Sequence, residues 1–493
     1  MKLTKPSHNS PVDLFSGKSG TYTDAADVLV TSDCLSQDID SKMTSASALT
    51  LTSSEDAAFN YKEWACGIGG PEPWEDNASP LTSRINTGVT FFRSTEGGLA
   101  MAKRWIGLLV RCFDGDNPGC DDQTSFNSGA QPGGRSPVMN KDHETKPVKG
   151  GEGRVYWSEF DGKRCALGYL PISDFSNGHV FFLQKVPQNL EKHPYAIHNT
   201  HNFYGAAGKL YRFRASQLWA IEGNLEEYSA ELNYLSFESF AGHEASKESS
   251  PLVAHILARD ELRREIWAAI GLAKVLDRVL VLPRFNCFCD RYWYPILPQC
   301  RLPGSQRFAF SQSCPLDQIL DVGAVAADGF VVKTRVDGFF DNAKAKPLLG
   351  SRKEVSLVET RENVQCLSPE QIKQTLGTSE TVLHIAGGVK GVFCGFPDDS
   401  VEAKALDDGI SKAFNSDWCC HQNGSMPIAP HARVSALPAG SADAGPRADE
   451  VSVKLAVKVW DLTVPEKDKW QALLFGKQFP EGSGMTEHNH YKC

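Results

Sequence analysis

The sequence predicts an α/β protein, and three segments support that prediction. Residues 26–32 form a short apolar, β-branched run that ends at Asp33, as expected for a buried strand with a carboxylate at its carboxyl end. Residues 252–277 have helical periodicity and lead directly into residues 278–283, an apolar run that indicates a buried parallel strand. A helix followed by an apolar strand is typical of α/β folds, in which ligands gather at the carboxyl ends of the strands.

Other elements follow from the same patterns. Residues 84–93 predict a second strand, and residues 95–112 predict an amphipathic helix with a Ser/Thr cap and an acidic first turn. Short strands are predicted at residues 156–160, 167–171, 180–183, 329–334 and 381–385. The predicted organisation is a first domain over residues 1–245, a second α/β domain over 246–425, a Pro/Ala/Gly/Ser-rich linker over 426–450 and a tail over 451–493.

The composition excludes several classes of protein. The chain has 493 residues, of which 41% are hydrophobic and 23% are charged, as in soluble globular proteins. Its formal net charge of -9 argues against a nucleic-acid-binding protein, because phosphate contacts need a basic face. We expect no secretory signal, since the first 15 residues have no apolar core. We expect no transmembrane segment either, since the sequence has no run of 18 apolar residues.

Four of the 14 cysteines are close together in the sequence: Cys287, Cys289, Cys300 and Cys314. Their Cys-x-Cys spacing differs from the paired CxxC of common zinc sites, so the sequence favours disulfides over zinc. Disulfides would indicate an oxidising compartment. The alternative is a metal-bound cysteine module with an interaction role, which predicts stoichiometric zinc.

Residues 193–212 are the most informative segment for function. The segment and the residues just after it combine an imidazole, glycines and cations: His198, Gly205, Gly208, Lys209, Arg212 and Arg214. A neutral imidazole is a good ligand for a divalent metal, glycines in a turn let the backbone approach a phosphate, and a lysine supplies a compact charge. The combination indicates a nucleotide-diphosphate pocket. A surface loop with a core histidine is an equally supported alternative.

Short motifs in a fixed order connect this chain to a known family. They lie at residues 26–33, 86–93, 122–127, 196–200 with Gly205 and Gly208-Lys209, 235–237, 280–283, 289–293, 301–304 and 314–317. Each motif alone is weak, but so many in one order are hard to obtain by chance. Over roughly residues 11–345 the chain resembles the plant and algal glycosyltransferases of family 77, which are nucleotide-diphospho-sugar transferases.

The resemblance implies a fold and a reaction. The fold is the Rossmann-like GT-A fold in the first domain, followed by the second α/β domain. The reaction is retaining transfer of arabinose, xylose or galactose from a UDP-sugar to a cell-wall glycan or glycoprotein in the Golgi. A divalent metal, Mn or Mg, would help to stabilise the charge that builds on the leaving diphosphate. No nucleic-acid partner is expected.

The resemblance also assigns candidate site residues. His198 would be a metal ligand, while Asp122 and Gln123 would lie near the reacting carbon as the catalytic pair. The donor would be bound by Asp33, Asn86, Gly88, Gly205, Gly208 and Lys209. A carboxylate or amide facing the anomeric carbon suits the oxocarbenium-like state that a transferred sugar passes through.

Each assignment has a structural alternative. Asp33 could simply cap a turn, and residues 86–88 could form only a bend between loop and strand. The acid and amide at 122–123 could be solvated groups in a polar loop. His201 competes with His198 as the metal ligand.

The chain departs from the family at one motif. Family members have an Asp-x-Asp that follows a buried strand, shortly before the segment that corresponds to residues 11–33. The triplets Asp38-Ile-Asp40 and Asp114-Gly-Asp116 imitate it, but neither follows a buried strand. We therefore expect an amino-terminal truncation that removes the first strands, the membrane anchor and the carboxylate pair. The alternative is a non-catalytic homologue that binds a glycan or a nucleotide.

Overall fold

A computed structural model describes residues 22–32, 85–114, 121–126, 148–149, 155–160, 162–219, 228–243, 251–290, 312–356 and 366–414. The chain divides into two compact units, residues 1–201 with 303–308 and residues 202–302 with 309–493. The predicted boundary near residue 245 lies inside the second unit, and the predicted division into domains stays a prediction. The predicted linker and tail lie outside the described residues.

The first unit contains a four-stranded mixed sheet. Its strands are β1 (Val28–Ser32), β2 (Ile85–Phe92), β3 (Val155–Phe160) and β4 (Lys163–Tyr169), in the order β2-β1-β4-β3. β1 is buried along its whole length, parallel to β4 and antiparallel to β2. The strands predicted at 26–32, 84–93 and 156–160 are confirmed, and β4 begins earlier than the predicted 167–171.

One helix of this unit is tied to the sheet through a single carboxylate. α1 (Glu96–Asp114) confirms the predicted amphipathic helix, and the Thr95 hydroxyl caps it by accepting from the Gly98 amide at 3.2 Å. The same hydroxyl donates to Asp27 at 2.6 Å, and the second oxygen of Asp27 accepts from the Ala166 amide at 2.8 Å. Asp27 therefore joins α1 to β1 and β4. A second helix, α2 (Asp122–Ser125), is a single turn.

A small parallel pair follows, formed by β5 (Phe175–Asn177) and β6 (Ala196–His198). Between them lie a π-helical segment, His179–Leu183, and the short helix α3 (Val186–Asn189). The strand predicted at 180–183 is therefore wrong. The Asn177 carboxamide accepts from the Val180 amide at 2.9 Å, which starts a helical turn, and a short apolar run does not distinguish a strand from a buried helix.

The second unit contains a five-stranded sheet in which all strands are parallel. Its strands are β7 (Tyr234–Phe237), β8 (Val279–Val281), β11 (Thr334–Arg335), β12 (Arg352–Ser356) and β13 (Val382–Ala386), in the order β11-β8-β7-β13-β12. The parallel strands predicted at 278–283 and 381–385 are confirmed. The strand predicted at 329–334 is wrong, since only Thr334 of that run belongs to a strand.

Helices accompany this sheet. They are α4 (Gly205–Ala215), α5 (Pro251–Leu276), α6 (Val322–Ala326), α7 (Pro369–Leu376) and α8 (Val401–Ala413). α5 confirms the helix predicted at 252–277. Buried alanines and leucines along α5, among them Ala258, Leu262 and Ala269, pack it into the core.

Disulfides stabilise the second unit. Cys287 at the end of β9 (Phe285–Cys287) is bonded to Cys314 at the end of β10 (Gln312–Cys314), and these two strands form an antiparallel ribbon. Cys289 is also disulfide-bonded. The preference for disulfides is thus confirmed for Cys287, Cys289 and Cys314, and the alternative of a zinc-bound module is wrong for these three. Cys300 lies outside the described residues. A further disulfide, Cys366–Cys394, was not expected from the sequence.

Candidate active site

The pairing of β1 with β2 is irregular where the predicted donor site lies. Val30 pairs with Thr90, yet the next residue, Thr31, pairs with Asn86. Residues 87–89 therefore have no partner on β1 and form a bulge beside the carboxyl end of that strand. Bulges frequently lie next to active sites because they redirect side chains out of the regular alternation of a strand.

Polar contacts hold this bulge in place. The Thr31 hydroxyl donates to the carbonyl oxygen of Asn86 at 2.8 Å. The side-chain oxygen of Asn86, which is buried, accepts from the Gly88 amide at 2.8 Å. Asn86 thus has a structural role in the bulge, and its predicted contact with the donor sugar stays a prediction.

Gly88 and His198 meet at the bulge. A Cβ atom at position 88 would lie 2.2 Å from Cε1 and Nδ1 of the His198 ring, so only a glycine leaves room for this imidazole. His198 is the last residue of β6 and is half-buried. The structure therefore brings together a predicted donor-binding residue and the predicted metal ligand, which are far apart in the sequence.

The predicted catalytic carboxylate, that of Asp122 at the start of α2, contacts the same bulge. The Thr87 hydroxyl donates to Oδ2 of Asp122 at 2.5 Å, and the Asp122 side chain is exposed. The indole of Trp105 on α1 donates to the Asp122 carbonyl at 3.1 Å. Asp121 caps α2 by accepting from the Thr124 amide at 2.5 Å. Asp122 is thus fixed through both its side chain and its backbone.

The segment after His198 depends on a second glycine. A Cβ atom at Gly178 would lie 2.0 Å from the Thr200 carbonyl oxygen and 2.6 Å from Oδ1 of Asn199. Gly178 therefore allows the chain after β6 to pass close to the end of β5. This close packing fixes the position at which β6 presents His198.

Thr87 was missed as a candidate residue. It stands between Asn86 and Gly88 in a motif that resembles the family, but a threonine there looks like an ordinary strand residue. Its role depends on the bulge, which no local pattern in the sequence reveals. Gln123, the second predicted catalytic residue, follows Asp122 in α2 and is half-buried.

The described side chains around the bulge do not by themselves make a metal site. Among the described residues, no group of three or more His, Cys, Asp or Glu side chains is placed to hold a metal ion. His198 and Asp122 both border the bulge without completing such a set, so these residues alone do not fit a metal. Asp33 and the triplet at 38–40 lie outside the described residues. The metal-binding role of His198 stays a prediction.

The predicted turn at residues 205–209 is wrong, because this segment forms the start of α4. Gly205 has a φ of 56° and is exposed, as is Lys209. Gly208 is required for packing, since a Cβ atom there would lie 1.7 Å from the Phe203 carbonyl oxygen. Lys209 belongs to the second unit and His198 to the first. Their joint contact with one diphosphate stays a prediction.

Arg212 has a structural role. Its guanidinium forms a buried ion pair with Asp317, with Nε 2.9 Å from both carboxylate oxygens. The Phe203 amide also donates to Asp317, at 3.1 Å. Arg212 therefore anchors α4 within the second unit and does not belong to a phosphate-binding surface.

Comparison with known proteins shows what the first part of the chain is similar to. Residues 9–213 match the family model of the nucleotide-diphospho-sugar transferases. This part of the chain is therefore similar to nucleotide-diphospho-sugar transferases. The matched range includes β1, the bulge, α2 and β6, so the residues that the structure brings together all lie within it.

A curated relative supports the same conclusion. The chain is 23% identical, over 370 residues, to Arabinosyltransferase XEG113 of Arabidopsis thaliana. The aligned region covers 69% of this chain and 52% of the relative, so the chain spans about half the length of the relative. No solved structure matches the chain. The predicted resemblance to family 77 and the predicted α/β, GT-A-like fold class are confirmed.

Proposed function

We propose that this protein is a glycosyltransferase whose donor, a UDP-sugar, binds at the bulge of residues 87–89. The observation that supports this most strongly is the convergence of Asp122 and His198, from two separate motifs, on Thr87 and Gly88. The match to nucleotide-diphospho-sugar transferases supports the reaction type. In such a reaction a nucleoside diphosphate leaves, and the site must stabilise charge on both the sugar and the leaving group.

Asp122 and Gln123 are proposed to face the reacting carbon. A carboxylate stabilises the positive charge of an oxocarbenium-like sugar, and a carboxylate or amide on that face suits retention of configuration. The Thr87 hydroxyl fixes the orientation of the Asp122 carboxylate. Such positioning lowers the barrier because the group does not have to reorient during the reaction.

The remaining predicted residues are assigned to the donor. Asn86 and Gly88 are proposed to line the sugar side, and the His198 imidazole is proposed to lie near the diphosphate. Asp33, Gly205, Gly208 and Lys209 complete the proposed donor-binding set. No step of this proposal is assigned to the divalent metal, because the described residues do not complete a ligand set for it.

The donor sugar and the acceptor follow from the relative and the resemblance. Because the relative is an arabinosyltransferase, UDP-arabinose is the first donor to test, with UDP-xylose and UDP-galactose as alternatives. The proposed acceptor is a cell-wall glycan or glycoprotein.

The proposed location is the Golgi lumen. The disulfides Cys287–Cys314 and Cys366–Cys394 support an oxidising compartment. Among the helices that the structure describes, none has the length and apolar character needed to cross a bilayer.

Release of UDP from these three donors, with and without an acceptor, tests the proposal. We expect turnover with at least one donor and a loss of about 100-fold or more in Asp122→Asn, since removing a charge that stabilises the transition state costs several kcal/mol. Asp174→Asn is the matched control, because Asp174 belongs to the same unit and pairs only with the exposed Lys192 in a surface contact at 3.0 Å. A protein that neither binds UDP nor turns over any of the three donors contradicts the proposal.

A second candidate function is a non-catalytic homologue that binds a nucleotide or a glycan. The observation that favours it is that the described residues assemble no cluster of metal-ligating side chains. This candidate predicts UDP binding without turnover and an affinity that neither a chelator nor His198→Ala changes. Loss of UDP affinity on adding a chelator excludes it.

A further inference from the structure

The second unit contains a cavity that the proposed donor site does not use. It has a volume of about 120 Å³ and lies where β8 and β11 end, beside the carboxyl-terminal part of α4. Ligands of α/β proteins bind outside the carboxyl ends of the parallel strands. The cavity lies at the β11 edge of the sheet, away from the central strand where the strand order reverses.

The walls of the cavity combine positive charge with apolar surface. Two of its described lining residues are cationic, Arg214 and Arg335, and none is acidic. Leu282, Val322 and Val325 supply aliphatic surface. Arginine pairs with carboxylate or phosphate through two parallel hydrogen bonds, so this lining favours a ligand with an anionic group on a less polar body.

Aromatic residues add apolar surface to the cavity. Phe339 and Tyr228 both line it, and their rings are stacked with a centroid distance of 5.3 Å. Phe339 is also stacked with Tyr234, at 5.4 Å. These rings supply a wall that suits the less polar body of the ligand.

The walls are held rigidly. The buried ion pair of Arg212 with Asp317 anchors α4, and Tyr211 on the same helix donates a hydrogen bond to the buried Asp337. The side-chain amide of Gln217, just after α4, donates from Nε2 to the Gly338 carbonyl at 2.9 Å. Arg214 lies between Tyr211 and Gln217 in the chain, so both sides of this segment are fixed to residues that follow β11. A preorganised site loses little entropy when a ligand binds.

The volume of the cavity limits the size of the ligand that it can hold. A volume of about 120 Å³ is room for roughly ten water molecules at the 10–15 Å³ that one occupies on this measure. Pockets for drug-sized ligands are several times larger, roughly 300–1,000 Å³. The cavity therefore suits one small ring with one acidic substituent and is too small for a whole nucleoside diphosphate sugar.

We infer that this cavity binds a monosaccharide-sized organic anion, through Arg214 and Arg335, as a second ligand site of the protein. The anionic group is a carboxylate or a phosphate, as in a sugar acid or a sugar phosphate. This inference does not depend on the proposed function, because neither the bulge of residues 87–89 nor a UDP-sugar takes part in it.

Ligand-observed NMR titrations without any nucleotide test the inference, with glucuronate, glucose 1-phosphate and neutral glucose as probes. We expect at least one of the two anions to bind and glucose not to bind. Each of Arg214→Gln and Arg335→Gln should weaken the affinity about tenfold or more, since each removes a charge-assisted contact. Arg352→Gln is the control, because Arg352 is an exposed residue on β12 that pairs with Glu354.

The outcomes separate the possible ligands. Binding of glucuronate alone identifies the carboxylate of a sugar acid, and binding of glucose 1-phosphate alone identifies a sugar phosphate. Arg214 lies on α4 and Arg335 on β11, so a substitution that unfolds one element leaves the other arginine available as a test. Either variant is informative if its melting temperature is within a few degrees of that of the wild type. Binding of neutral glucose as tight as that of the anions overturns the inference, as does equal affinity in the wild type and both arginine variants.

Discussion

The imidazole of His198 occupies the space that a side chain at position 88 would fill, with Cε1 only 2.2 Å from the position of such a Cβ atom. Gly88 belongs to the bulge of β2, and His198 ends β6. The contact gives Gly88 a physical role that does not depend on the donor, since any larger residue displaces the ring. It also makes the position of His198 testable without changing the histidine itself.

Gly88→Ala should displace the His198 imidazole and weaken binding of UDP-sugar by about tenfold or more, if the ring contributes one strong polar contact to the diphosphate. Calorimetric titration of the donor measures the effect. Gly107→Ala on α1 is the control, because a Cβ atom there contacts nothing within 4 Å and alanine favours a helix. Donor affinity unchanged by Gly88→Ala, in a folded protein, contradicts the placement of His198 in the donor site.

Thr87→Val should lower the turnover number about tenfold while changing the affinity for the donor little, because it removes the hydroxyl that orients the Asp122 carboxylate. Thr87→Ser keeps a hydroxyl and should restore most of the activity. Steady-state kinetics of UDP release separates the turnover number from KM. Equal losses in Thr87→Val and Thr87→Ser indicate that the hydrogen bond has no part in catalysis.

Arg212→Met should destabilise the second unit by about 3 to 5 kcal/mol, because it leaves the buried Asp317 carboxylate without its partner. The double variant Arg212→Met with Asp317→Leu should recover part of that loss. Denaturant unfolding measures both, and the exposed pair Arg352–Glu354 provides a control in which Arg352→Gln costs about 1 kcal/mol or less. A loss in Arg212→Met as small as that of the control contradicts the structural role of Arg212.

Asp337 should make the stability of the second unit depend on pH. Burial raises the pKa of its carboxyl to about 6, with a further increase from Asp341 and opposing effects from the Tyr211 hydroxyl and from Arg284. A raised pKa means that the folded state holds the proton more tightly than the unfolded state does. The resulting stabilisation is complete below pH 4 and is lost as the pH rises through 6.

The size of this effect is about 3 kcal/mol, given 1.36 kcal/mol for each pKa unit. Urea unfolding of the wild type and of Asp337→Asn between pH 4 and pH 7 measures it. The wild type should lose about that much stability relative to the variant over this interval. A difference between the two proteins that stays constant over the interval contradicts the raised pKa.

Long and strongly periodic elements could be predicted from the sequence. The helix at 252–277 and the strand at 278–283 were predicted correctly, because a 26-residue helix and a β-branched run each show their own period. The turn predicted at 205–209 was wrong because this short segment shows no clear period of its own. Two glycines looked like a loop, whereas Gly208 belongs to a helix and is small because the Phe203 carbonyl packs against it.

The arrangement of the candidate site could be predicted only in part. Asn86, Gly88, Asp122 and His198 were identified through a resemblance to a family, but their proximity depends on how β1 pairs with β2. That register joins residues more than 50 positions apart and leaves three residues unpaired. Arg212 and Asp317 likewise lie 105 residues apart. Contacts at such separations leave no mark in local periodicity, so Thr87 and Asp317 could not be assigned from the sequence.

The most direct test of the central claim is hydrogen–deuterium exchange of the full chain with and without a UDP-sugar that it binds. The claim predicts slower exchange on binding in residues 85–92 and 121–126, which contain the bulge and Asp122, and in the segment around His198. Protection that is confined to other parts of the chain, with none at the bulge, contradicts the claim.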